Sequence, residues 1–252
     1  MSGFGTMLRK EFREIVATWR AWVCVGAFAL FGIVDPVLAR FTPAIMASVL
    51  GDQFPIELPE PTYLESWAQW AGDLAQLLAI VLIAVAAAAV AGEVASGTLI
   101  IPLTKPIGRT AFVLAKFVAI AGLAIVSAAI GTALATAVTY LMFDGVDAGP
   151  VWNATGVWLA LAVLLIALTM LGSCLASSTM TAFMIGFAAY IAISLIGLWQ
   201  PARAYSPAGL NEAIANVAAG QSAAFAWPAA TALGLAVLAL YGAVLAFRRR
   251  EL

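Results

Sequence analysis

The chain has 252 residues, 64% of them hydrophobic and 10% charged, with a formal net charge of −1 and a mean hydropathy of +1.03. A soluble domain is roughly 45–50% apolar and about 25% charged, so this excess cannot be hidden inside a water-soluble globule; the chain is solvated by lipid, and its charge gives no sign of a nucleic-acid partner. It has no histidine and only two cysteines, Cys24 and Cys174, each within an apolar run, which excludes histidine acid–base chemistry, HExxH zinc sites, haem ligation and a disulfide framework.

In chain order, the first element is an amphipathic helix over about residues 4–19. Phe4, Met7, Leu8, Phe12, Ile15, Val16 and Trp19 recur at helical spacing, while Arg9, Lys10, Glu11, Arg13 and Glu14 mark the wet side. Such a helix lies in the membrane interface rather than across it. It is either a lipid anchor alone or an anchor whose charged face also meets a soluble partner. No cleavable leader is expected, because the first apolar run is longer than a signal-peptide core.

Six runs then reach the ~20 apolar residues needed to cross a bilayer: Ala21–Ala39, Leu74–Ala91, Ala111–Phe143, Thr155–Leu175, Thr181–Trp199 and Pro228–Phe247. The expected fold is all-α, a single membrane domain over residues 1–252. Between the first two spans, residues 41–71 carry Pro43, Pro55, Pro59 and Pro61, which predicts an extended segment leading into a short amphipathic helix. Small residues along the second and third runs, among them Gly122, Ser127, Gly131, Thr132 and Thr136, mark them as packing helices. Ser206 and Pro207 read as the start of a short helix that Gly220 closes, dipping into the outer leaflet.

Orientation follows from lysine and arginine, which are retained in the cytoplasm. With the N-terminus inside, Arg9, Lys10, Arg13, Arg20, Lys105, Arg109, Lys116, Arg248, Arg249 and Arg250 are cytoplasmic, and only Arg40 and Arg203 are outside. Both termini are then expected in the cytoplasm of a multi-pass cell-membrane protein. Asp35 and Asp73 fall near the outer ends of their runs, where water is expected to reach them. Intramembrane acids are costly and often functional, so a structural role and an ion-coupling role both stay open.

The segment between the second and third runs is unlike either. Gly92, Gly97, Gly108, Pro102 and Pro106 break and bend the chain, and Lys105 and Arg109 hold its return. It is too small to be an enzyme, but its size suits a stiff knob against the membrane, with about two turns of helix around Glu93–Leu99.

These residues resemble a known family. Glu93-Val-Ala-Ser-Gly97-Thr98-Leu99, then Lys105-Pro106-Ile107-Gly108-Arg109 and Ala115-Lys116-Phe117, are similar to the E-x-x-x-G-T-L … P-[ILV]-x-R … K-[FL] signature of the permease subunits of ABC-2 type transporters. The opening Arg9-Lys10-Glu11-Phe12-Arg13-Glu14 is similar to the start of many such permeases. The resemblance implies six spans, an N-terminal interfacial helix and a cytoplasmic coupling helix between spans two and three. It implies that Glu93, Gly97, Thr98, Leu99, Lys105, Pro106 and Arg109 couple to a separate ATPase subunit, with further contacts from the N-terminal helix. It also implies that two permeases, copies or paralogues, pair within the lipid to enclose an export path. ATP and magnesium would belong to the partner; this chain holds no GxxxxGK[ST] phosphate loop and is expected to be neither an enzyme nor a cofactor binder. The alternative is an ion-coupled secondary transporter using Asp35 or Asp73.

Overall fold

The computed structural model describes residues 2–50, 60–95, 97 and 108–249. Helix α1 (Ser2–Ala17) is followed at Thr18 by a bend and then by α2 (Trp19–Leu50). Helix α3 (Tyr63–Asp73) passes through a π-helical turn (Leu74–Leu78) into α4 (Ala79–Ala87), and a short α5 (Ala91–Ala95) follows. Next come α6 (Arg109–Met142), α7 (Gly149–Leu175) and α8 (Thr179–Ile196). Two short helices, α9 (Gln200–Tyr205) and α10 (Gly209–Ala218), precede α11 (Ala226–Arg249).

Six helical segments are long and apolar enough to span a bilayer, and no strand occurs among the described residues. This is the all-α, six-span architecture expected from the apolar runs. The boundaries differ in places. Helix α2 continues through Pro36 and Pro43 to Leu50, beyond the span end expected at Ala39; prolines are tolerated in membrane helices because neighbouring groups re-satisfy the freed carbonyls. Pro55 and Pro59 lie outside the described residues. The short amphipathic helix expected before the second span exists as α3, but it joins that span without interruption. Its start is fixed by Glu65, whose carboxylate accepts from the Thr62 N–H at 2.7 Å. The helix expected from Pro207 begins instead at Gly209, and Gly220, at φ +73°, follows its end as foreseen. Leu210, Ala213, Ile214 and Ala218 are buried, so α10 packs on the bundle.

The core is built around α7, the most enclosed span. Phe28 of α2 lies edge-on to Trp70 of α3 (6.4 Å) and to Trp158 of α7 (5.6 Å), and all three are fully buried. The Trp70 Nε1–H points to Thr155 Oγ1 at 3.4 Å, and that hydroxyl also lies 3.0 Å from Thr132 Oγ1. Polar rims of aromatic rings need partners in a lipid-solvated core, and these threonines supply them. Helices α2 and α6 meet at Gly32 and Gly131, where a Cβ at Gly32 would strike the Gly131 carbonyl oxygen. Of the small residues expected to pack in the third run, Ser127, Gly131 and Thr132 are buried, while Gly122 and Thr136 are partly exposed.

The second span is broken near its end, where α4 stops at Ala87 and α5 starts at Ala91. Ser173 of α7 fills the gap. Its hydroxyl donates to the Ala87 carbonyl (2.9 Å) and accepts from the N–H groups of Val90 (3.1 Å) and Ala91 (2.9 Å). Arg20 donates to the Ala88 carbonyl at 3.2 Å. Removing the hydroxyl would leave buried main-chain groups unpaired, each worth about 1–3 kcal/mol. Ser173→Ala is therefore expected to lower stability by about 2 kcal/mol, read as an earlier melt in detergent, while Ser173→Thr retains most of it.

Candidate functional site at the charged end of the bundle

The N-terminal helix, the segment after the second span and the C-terminal end of α11 gather at one end of the bundle, and buried charge holds them there. Lys116 lies two turns inside α6 and is 1% exposed. An ammonium in an apolar helix is tolerable only with counter-charges and hydrogen bonds. Lys116 Nζ donates to Glu93 Oε1 of α5 at 2.6 Å and to Glu11 Oε2 of α1 at 3.0 Å, and it sits 4.9 Å from the centre of the Phe112 ring. Both glutamates are buried. Thus one lysine ties together three separate helices.

Lys10 closes the outer side of this cluster. Its ammonium lies 3.1 Å from Glu11, 2.5 Å from Glu14 and 3.6 Å from Glu93. Burial pulls the Lys10 ammonium down, but the hydrogen bond to Glu14 and the charges of Glu11 and Glu93 outweigh it, and it titrates above its ordinary value. Burial likewise raises Glu14, yet the hydrogen bond to Lys10 wins and its carboxyl titrates below the ordinary range. The Glu14 contribution is lost as pH falls through that lowered value, and the Lys10 contribution as pH rises through its raised one, so the contact is intact across neutral pH. Because Lys10 is half-exposed, the pair contributes at most about 1 kcal/mol. The carboxylates of Glu11, Glu14 and Glu93 converge in a way that could hold a metal ion, but each is already ion-paired with Lys10 or Lys116.

A second set of contacts joins α6 to α11. Phe112 and Phe247 stack at 5.0 Å. The Arg109 guanidinium, at the first residue of α6, donates to the Arg248 carbonyl, and Arg248 Nη2 donates to Thr110 Oγ1 at 2.8 Å. A cation on the last carbonyls of α11 satisfies orphan acceptors and complements the helix dipole.

The residues singled out from the sequence divide into four groups. Glu93, Glu11, Lys10, Glu14 and Arg109 are brought into this junction. Gly97, at φ +69°, donates its N–H to the Val94 carbonyl at 3.1 Å and ends α5 in the left-handed region that glycine favours. Thr98, Leu99, Lys105 and Pro106 lie outside the described residues. Arg9 and Arg13 are exposed on α1.

Two sequence expectations need correction. Glu11, expected on the wet side of α1, is 3% exposed; Phe12 and Val16 of the greasy side, at 40% and 63%, are left uncovered by the protein, as side chains turned to lipid are. The inward stripe runs through Met7, Glu11 and Ile15 because Lys116 draws Glu11 in, and Phe12 packs its ring edge near Gly122. Asp35, expected within reach of water, is fully buried, because α2 packs against α3 and α6. Lys116, Ser173, Arg20 and Phe247 were not chosen as site residues. For Lys116 a signal existed: a lysine inside an apolar run requires a carboxylate at the same end of the bundle, and Glu11, Glu14 and Glu93 are the acids there among the described residues.

The family model for ABC-2 family transporter proteins matches residues 6–252, nearly the whole chain. No curated protein matches it. The match takes in the six spans and every element of the charged junction except the first residues of α1, and the chain belongs to the ABC-2 family of transporter proteins, as a permease of an ABC-type transporter in the membrane.

Proposed function

We propose that this chain is the permease subunit of an ATP-driven ABC-2 exporter, forming the translocation path as a dimer and coupled to separate ATPase subunits that bind ATP and magnesium. The cation distribution supports cytoplasmic termini, which puts the junction on the side where an ATPase would dock. The observation that carries the reading is the Lys116–Glu93–Glu11 cluster. It welds α1 and α5, the elements closest to such a partner, to the third span, so a push on either is delivered to the membrane helices rather than absorbed.

This assigns two jobs to residues that the motif alone treats as one set. Glu93 and Glu11 face inward and make the junction stiff. Arg9 and Arg13, exposed and outside every ion pair among the described residues, face outward to the ATPase, together with the segment carrying Thr98, Leu99, Lys105 and Pro106. Arg109 braces the last span against the third. The permease itself catalyses no reaction.

The test is reconstitution with the co-expressed ATPase. Arg9→Glu combined with Arg13→Glu is expected to weaken ATPase capture about tenfold, equivalent to about 1.4 kcal/mol, without changing the melting of the permease. Unaltered capture and unaltered coupled hydrolysis would remove these arginines from the interface. ATP hydrolysis by the permease alone would overturn the reading as a whole. Gradient-driven uptake without nucleotide, abolished by Asp35→Asn, would replace it with secondary transport.

A further inference from the structure

Helix α2 packs against α3, and within the bundle the side chain of Asp35 on α2 lies beside that of Asp73 at the end of α3. Asp35 is fully buried, and neither of its carboxyl oxygens has a hydrogen-bond partner of ordinary geometry. Asp73 is partly exposed and gives the site its opening. Immediately after Asp73 the helix changes to π register over Leu74–Leu78, a local form frequent at binding sites.

Among the described residues no fixed cation answers this pair; beside α10, which packs on α3, Arg203 is held by Glu212 at 2.8 Å. On α2 itself, Arg40 rests over the Phe143 ring at 5.6 Å. On α3, Glu65 is occupied by Thr62. Helices α4 and α7 carry no charged residue, and α6 carries none after Lys116, which is held by Glu11 and Glu93; Tyr140 of α6 points outward and is 55% exposed. Two adjacent carboxylates cannot both stay ionised in a low-dielectric interior without a bound positive charge.

We propose that Asp35 and Asp73 form an intramembrane proton-binding site, in which the two carboxyls share a single proton. One carboxyl is the acid and donor, the other the carboxylate and acceptor, and Asp73 is the member through which the proton enters and leaves. The site is independent of nucleotide and of the ATPase partner, so its test does not depend on the transport reading.

The probe is dicyclohexylcarbodiimide, which modifies protonated carboxyls in apolar surroundings, applied to the full chain in lipid nanodiscs and mapped by peptide mass spectrometry. Near neutral pH one label per chain is expected, distributed between Asp35 and Asp73, and falling several-fold at alkaline pH. In Asp73→Asn the label should move wholly to Asp35, and in the double Asp→Asn variant the pair should be silent while other peptides are unchanged. Two labels on one pair, or none on folded wild-type protein at any pH, would overturn the shared proton. Protection by sodium chloride but not by choline chloride at fixed pH would overturn it too, in favour of a metal-cation site. Because the wild-type pH series decides the matter, a poorly folding variant does not leave the proposal unanswered.

Discussion

Replacing Lys116 with methionine is expected to cost about 3–5 kcal/mol of stability, the range found when one partner of a buried ion pair is removed. The variant keeps the length and apolar stem of the side chain but deletes the charge that faces Glu93 at 2.6 Å and Glu11 at 3.0 Å. Two carboxylates would then remain in a nearly dry junction. Lys10 moderates the loss, since its ammonium already lies 3.1 Å from Glu11 and 3.6 Å from Glu93, and this favours the lower end of the range. Thermal unfolding in mild detergent, followed by loss of the monodisperse gel-filtration peak, reads the effect directly. The decisive comparison is the triple variant Lys116→Met, Glu11→Gln, Glu93→Gln. A buried ionic cluster replaced by neutral groups of similar volume is often close to neutral in stability, so most of the loss should be recovered. Recovered stability with lost ATPase-coupled transport would separate the mechanical role of the cluster from its structural one. A Lys116→Met protein as stable as wild type would mean that this lysine is solvated, and the junction would not be the rigid element proposed.

The same cluster explains what the sequence could and could not disclose. Lipid solvation imposes a length and composition on each span that no soluble contact can override, so the six crossings were legible from apolar runs alone. The helical spacing of α1 was equally plain, yet it put Glu11 on the wet side, and Glu11 is buried. Periodicity ranks side chains by affinity for water and cannot see that a lysine about a hundred residues away will bury Glu11. For the same reason Ser173 reads as one more small residue in an apolar run until the break in the second span places Ala87, Val90 and Ala91 around its hydroxyl. Proline misled in the opposite direction. In water Pro43 would argue for a loop, but in a bundle within lipid the backbone has no better partner than its own helix, and α2 runs on to Leu50. Asp35 was judged by its position along the chain, when its burial depends on how α2 and α3 cross.

Gly131→Val is expected to be the other severe substitution, destabilising by about 3 kcal/mol or more, at the upper end of what overpacking a tight core costs. In a bilayer there is no water to expel between helices, so close approach and van der Waals contact carry the association. Helices α2 and α6 obtain that approach through facing glycines. A Cβ at Gly131 would strike the Trp70 ring and lie 2.7 Å from the Phe28 carbonyl oxygen. The two collisions are unlike, and this makes the prediction sharp. Trp70 is a side chain and can be shortened, whereas the Phe28 carbonyl belongs to the backbone of α2 and can move only if the helix moves. Gly131→Ala combined with Trp70→Phe should therefore recover only part of the loss seen in Gly131→Ala alone. Gly32→Ala, whose new methyl meets the Gly131 carbonyl, should be damaging even though alanine is a better helix former than glycine. Melting curves of these variants compare the two causes directly. Full rescue by the smaller ring would mean that the tryptophan sets the spacing; failure of any rescue, with Gly32→Ala also destabilised, would assign it to the two backbones.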